Sequence, residues 1–225
     1  MLHGTSDTTI VESIPAARYL EDYVTSASYT HLTLVVDRSG SMSSVREEAE
    51  AGINALVAEQ FALPGELTVT LSQFDNAFDT VQRMSTSPFT YSLEPRGMTA
   101  LLDAVGMEIA RTGKDLASLP EEERPGRVLL VVVTDGHENS SHEYSVERVR
   151  SMLKVQREQY AWEVRFLGAD DAAWQGEALG VGTTRYANTG AGNRAVFATM
   201  SGSMAAYRDA PSGQALEMPD EITTS

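Results

Sequence analysis

The stretch HLTLVVDRSGSM, residues 31–42, decides how this chain is read. Leu32, Thr33, Leu34, Val35 and Val36 form a continuous aliphatic and β-branched run, the pattern of a strand covered on both faces. The run stops at Asp37, and Ser39, Gly40 and Ser41 follow. A buried strand therefore delivers a carboxylate into a loop of small polar residues. Asp37, Ser39 and Ser41 alternate with Arg38 and Gly40, so a near-extended turn aims three oxygen-bearing side chains at one point and the arginine away from it. One carboxylate and two hydroxyls suit a hard cation such as Mg²⁺ or Mn²⁺, but six-coordination requires further oxygens from elsewhere in the chain.

A second run, RVLLVVVTD at 127–135, is the most continuously apolar segment and also ends on an aspartate, Asp135. Between the two runs, 67–75 alternates as a strand, and 78–84 predicts another after a turn short enough to force antiparallel pairing. Residues 162–168 and 183–187 predict two more strands. Helical spacing is carried by Val45, Ala49, Ile53 and Leu56 behind a Ser44–Glu47 capping box, and by Leu101, Leu102, Val105 and Ile109 behind Thr99. It recurs in Val146, Val149 and Leu153 behind Ser145, in a short helix to Leu179 capped by Asp170 or Asp171, and in Val196, Met200, Met204 and Tyr207. Strand and helix alternate, which predicts an α/β fold: a doubly wound, mostly parallel sheet of about six strands, one of them antiparallel, with helices on both faces. In such sheets the functional crevice lies at the carboxyl ends of the strands, where Asp37 and Asp135 sit.

At 225 residues the chain suits one domain. Residues 1–28 read as an arm with a short helix over 14–28, 29–209 as the α/β domain, and 210–225 as a disordered tail. With no cysteine there is no disulfide framework and no thiolate metal site. No segment approaches the roughly 18 apolar residues of a membrane span, and no leader pattern opens the chain, so the expectation is a soluble, cytoplasmic protein. A net charge of −15, with basic residues such as Arg46, Arg83 and Lys114 scattered singly, weighs against nucleic acid and anionic membrane as partners.

DRSGS at 37–41, GMTALLDAV at 97–105 and VVVTDGHENS at 131–140 together resemble the three signature segments of von Willebrand factor type A domains. The resemblance runs over roughly residues 30–208 and implies a Rossmann-like fold with a metal-ion-dependent adhesion site. It implies that Ser39, Ser41 and Thr99 supply hydroxyl ligands, and that Asp37 and Asp135 bind directly or through water. The implied cofactor is Mg²⁺, with Mn²⁺ or Ca²⁺ as substitutes. The implied partner is a protein presenting an Asp or Glu carboxylate, in a non-enzymatic interaction that extends in some relatives to ATP-driven remodelling machines and larger assemblies.

Two other uses of the same residues stay open. One is a Mg²⁺-dependent phosphohydrolase with Asp37 as nucleophile and the helix start at Ser44 beneath the phosphate, although Ser39 stands where such enzymes carry a second acid. The other is a structural or assembly protein in which the metal braces the loops. His137 and His142 are five apart, about 140° around a helix, which excludes the zinc-protease spacing of four. Asp103 reads either as a residue orienting Thr99 or nearby backbone, or as an exposed helix acid. Asp75 reads as a hairpin-turn acid, and Met98, Met200 and Met204 as core fillers.

Overall fold

A computed structural model describes residues 26–224. The chain runs β1 (Ser26–Asp37), α1 (Arg46–Ala62), β2 (Glu66–Phe74), β3 (Phe78–Ser85), α2 (Leu101–Ala117), β4 (Pro125–Thr134), α3 (Val146–Tyr160), β5 (Glu163–Ala169), α4 (Trp174–Leu179), β6 (Gly182–Tyr186), α5 (Gly190–Asp209) and β7 (Glu221–Ile222). The sheet order is β3-β2-β1-β4-β5-β6-β7, and every pairing is parallel except β2 with β3. From β1 the chain first winds outward to β2 and β3, then returns to place β4 on the other side of β1. The winding direction thus reverses between β1 and β4, and a crevice opens at their carboxyl ends.

Alternation along the strands sorts the core into two layers. Leu32, Leu34 and Val36 of β1 join Leu129, Val131 and Val133 of β4 against Ile53 and Leu56 of α1 and Val196, Met200, Met204 and Tyr207 of α5. Val35 joins Leu130 and Val132 against Val105 and Ile109 of α2, Val149 and Leu153 of α3, and Leu179 of α4. Helices on both faces explain why the central runs contain no polar alternation. Among the described residues no helix is long and apolar enough to cross a membrane.

Several local expectations are corrected. The predicted tail is ordered: β7 adds a seventh strand beside β6, with Arg185 N–H donating to Asp220 O at 2.8 Å and the Thr184 hydroxyl to Pro219 O at 2.6 Å. Leu216 is 4% exposed, and Met218 and Ile222 pack on the same core layer. An open sheet edge and a gap beside α5 give these apolar residues a place that sequence spacing alone does not reveal. The Ser44–Glu47 box does not form, because 40–44 coils into a 3₁₀ turn and Val45 becomes the N-cap of α1. The hydroxyls of Ser43 and Ser44 donate backwards to Gly40 O and Ser41 O instead.

Neither Asp170 nor Asp171 caps α4, whose N-cap is Ala173; Asp170, at φ 37°, accepts from Asn188 N–H at 3.0 Å. Ser145 does cap α3, accepting from Arg148 N–H. Met98 is 54% exposed rather than in the core. The expected arm and most of the 14–28 helix lie outside the described residues, and 26–28 belong to β1.

Candidate metal centre

Asp37 is the last residue of β1 and is fully buried. Its Oδ1 accepts from Ser39 N–H at 2.6 Å, and its Oδ2 accepts from the Thr134 hydroxyl at 2.5 Å. Ser39 Oγ and Ser41 Oγ lie 3.0 Å apart, and Ser41 Oγ donates to Asp135 Oδ1 at 2.5 Å. Thr99 enters from the segment leading into α2. Its amide donates to Asn139 Oδ1 at 2.9 Å, its carbonyl accepts from Asn139 N–H at 3.0 Å, and the next amide, of Ala100, donates to Asp75 O at 2.8 Å.

Gly136 measures the convergence of these groups. A Cβ placed on it would lie 2.7 Å from Thr99 Oγ1, 3.2 Å from Asp37 Oδ2 and 3.2 Å from Ser39 Oγ. Three oxygens from two separate segments, the β1 loop and the stretch before α2, therefore surround one point on a third that only glycine leaves clear. Ser41 and Asp135 adjoin it through their hydrogen bonds. All five residues singled out in the sequence are gathered here, at the crevice between β1 and β4.

Burial is the main force pushing the Asp37 carboxyl up to about 6. Hydrogen bonds from Thr134 and Ser39 oppose it, and the negative charge of Asp135 adds to it. Two carboxylates thus approach each other across a cluster of neutral hydroxyls, and among the described residues no side-chain cation is bonded to either. The cradle lacks positive charge and offers hard oxygens, which fits a Mg²⁺-type ion. Among the described residues no three His, Asp or Glu side chains are grouped to hold a metal, so this donor set is marked by its hydroxyls.

The surrounding residues hold the cradle's shape. Asp75 Oδ2 accepts from Arg38 Nε at 3.0 Å and Arg96 Nε at 2.7 Å, while its Oδ1 accepts from Ala77 N–H at 2.6 Å. It is the expected turn acid and also the tie between the β1 loop and the Thr99 segment. Burial would raise its pKa, but the hydrogen bonds from Arg96 and Ala77 and the charges of both arginines outweigh that and leave it lowered. Arg38 does point away from the cradle, as the alternation implies. Asp103 accepts three amides, those of His142, Glu143 and Tyr144, each at 2.8 Å, so it orients backbone and is not an exposed acid.

Four contributors were missed by sequence reasoning. Thr134 and Gly136 looked like strand end and turn. Asn188, whose Nδ2 donates to Asp135 Oδ2 at 3.1 Å, comes from the β6–α5 connection. Gln175 of α4 is buried; its Nε2 donates to Gly136 O at 2.9 Å and its Oε1 accepts from Glu138 N–H at 2.7 Å. The only available signal was a hydroxyl and a glycine flanking Asp135, and nothing in the sequence pointed to Asn188 or Gln175.

No protein-family model matches the chain, and no curated protein does. Solved structures are similar in fold. A von Willebrand factor type A protein from Catenulispora acidiphila superposes with TM-score 0.53 at 16% identity, over 78% of this chain and 42% of that one. The ArnB paralog VWA2 from Sulfolobus acidocaldarius gives 0.50 at 16% identity, over 77% and 44%. The von Willebrand factor domain of a type V pili tip protein from Porphyromonas gingivalis gives 0.60 at 10% identity, over 79% and 95%. The chain spans less than half the length of the first two. At these identities the likeness establishes the von Willebrand factor type A fold.

Proposed function

We propose that this chain, built on that fold, is a divalent-cation-dependent protein-binding module. Asp37, Ser39, Ser41, Thr99 and Asp135 hold a Mg²⁺-type ion, with Mn²⁺ or Ca²⁺ as substitutes, and the ion takes an Asp or Glu carboxylate of a partner protein. The observation that carries this reading is the convergence of Thr99, Asp37 and Ser39 oxygens on the open face of Gly136. When bound, the ion supplies Lewis acidity that two carboxylates and three neutral hydroxyls do not quench. The chain's own task is to hold those oxygens fixed and leave Ser41, which is exposed, at the mouth.

The module acts by binding rather than catalysis. Neighbours in fold include a pilus tip protein and a pilus adhesin, which supports an interaction role. A phosphohydrolase has less support, because both oxygens of the buried Asp37 are engaged by Thr134 and Ser39 and the phosphate-facing helix start at Ser44 does not form. We place it in a cytoplasmic setting, where docking onto a larger assembly such as an ATP-driven remodelling machine is the partner class to test first; a chain without cysteine is itself indifferent to the redox compartment.

Calorimetric titration of Mg²⁺ and Mn²⁺ is the direct test. Saturable binding in the wild type that disappears in Asp37→Ala and Asp135→Ala supports the site. Undiminished binding in both variants ends this reading.

A further inference from the structure

Two large apolar side chains stand exposed on the segments that build the oxygen cluster, beside charged residues such as Asp170 and Arg96. Met98 is 54% exposed and Trp174 is 52% exposed, and the exposed ring of His137 meets the Trp174 ring edge-on at 6.4 Å. These residues sit on the segments that supply the cradle. Met98 precedes Thr99, and His137 follows Asp135 by two positions. Trp174 precedes Gln175, whose amide clamps Gly136 and Glu138.

They also stand on opposite sides of it. The Met98 segment is tied to the ends of β1 and β2 by Arg96 N–H to Arg38 O and Ala100 N–H to Asp75 O, both 2.8 Å. Trp174 follows β5, and Asp37 and Asp135, from β1 and β4, lie between.

Both side chains have fixed bases. Trp174 is flanked by buried Ala173 and Gln175, and among the described residues its indole N–H has no acceptor. A rigid ring with a free donor loses little entropy on binding, which is why tryptophan is enriched where partners bind most tightly. Met98 follows Gly97, held at φ 70° with its carbonyl accepting from Gly40 N–H at 3.3 Å. Its unbranched side chain adapts to differently shaped apolar neighbours.

Electrostatics then selects the partner. A divalent cation between Asp37 and Asp135 is locally neutral, and the rest of the chain carries about −13, the formal −15 less those two carboxylates. Long-range charge gives an acidic partner no attraction, so a partner carboxylate needs adjacent apolar contact to be retained. We propose that the segment recognised at this site is a short protein sequence with a single Asp or Glu flanked, within about two residues, by a bulky aliphatic or aromatic side chain that packs on Met98 and the Trp174–His137 pair. This inference rests on the cation-binding reading above.

The test pans a display library of short random linear peptides against the full chain, once with Mg²⁺ and once with EDTA. The recovered peptide is then titrated against wild type, Met98→Ser and Trp174→Ser, with Mg²⁺ affinity measured on each. The expected result is Mg²⁺-dependent selection of an acid beside a large apolar residue. Peptide affinity should fall about tenfold or more in each variant while Mg²⁺ affinity stays within about twofold. Acid selection without apolar enrichment, or unchanged peptide affinity in both variants, overturns the inference and leaves the cation site standing. No Mg²⁺-dependent selection, together with no Mg²⁺ binding, overturns both.

Discussion

Gly136→Ala separates the fold from its proposed function. The substitution adds one methyl at a backbone position outside the left-handed region, where alanine is unstrained. The methyl arrives 2.7 Å from Thr99 Oγ1 and 3.2 Å from Asp37 Oδ2 and Ser39 Oγ, all side-chain oxygens. Relieving the tightest contact takes a χ1 change of the buried Thr99 or a small backbone shift, so apo stability should fall by about 1–3 kcal/mol, a Tm loss of about 2–10 °C. The cradle, by contrast, is filled. In the wild type, Mg²⁺ at about 100 times its Kd should add about 2.7 kcal/mol, which for a chain of this size is a rise in Tm of about 5–10 °C. Differential scanning fluorimetry with Mg²⁺ and with EDTA should show that rise in wild type and none in Gly136→Ala, each protein compared with its own EDTA curve. A full Mg²⁺ shift in the alanine variant would mean that the ion, if it binds, does not sit among Asp37, Ser39 and Thr99.

The remaining predictions concern what holds the cradle in place. Asp75→Ala leaves the buried Arg38 guanidinium, among the described residues, with the exposed Asp79 as its one acidic partner, and should cost about 3 kcal/mol in urea unfolding. If the loss is under about 1 kcal/mol, the tie is not structural. Leu216→Ala should cost about 2–3 kcal/mol because the side chain is buried against the α1–α5 layer, whereas a disordered tail would tolerate it without change. His31 is pushed down to about 4 from 6.5, chiefly by burial, with the Asp115 carboxylate pulling the other way. Its folded pKa lies below the unfolded one, so the unfolded chain binds the extra proton. Its contribution is present above about pH 6.5 and is lost as pH falls toward 4, by about 3 kcal/mol in all. Unfolding midpoints of wild type and His31→Gln across that window check this, and parallel curves would refute it.

Much of the fold was legible because burial leaves periodic traces. The runs at 32–36 and 128–133 carry no polar alternation because helices cover both faces of β1 and β4, and the antiparallel β2–β3 pair followed from the short turn between them. What failed was local chemistry with a competitor. Ser44 and Glu47 have capping-box spacing, yet the serine hydroxyls satisfy carbonyls of the 3₁₀ turn first. Leu216, Met218 and Ile222 have no helical or strand period, because what buries them is the unpaired edge of β6 rather than their own spacing. Met98 follows a methionine's usual habit in sequence, but the positive φ of Gly97 and the tethers on Arg96 and Ala100 present it outward.

The site divides along the same line. Asp37, Ser39 and Ser41 lie within five positions of one another, so a single local turn suffices to gather their oxygens. Thr99 and Asp135 needed only the inference that their segments end at the same crevice. Thr134, Gly136, Gln175 and Asn188 act through distances between loops that follow β1, β4, β5 and β6, and no local rule encodes those distances. This division bears on function. The residues legible from spacing supply the charge and hydroxyls any hard cation would accept. The residues visible only in three dimensions decide whether Asp135 is held by Asn188, whether Gly136 is held open by Gln175, and which side chains stand exposed around the rim. Cation affinity should therefore track the first group together with Thr134, Gly136 and Asn188, which touch it directly, and partner choice should track Gln175 and the exposed side chains around the rim. A variant such as Gln175→Ala should then weaken the recovered peptide more than it weakens Mg²⁺, because it frees the base of Trp174 while leaving all five cradle residues in place.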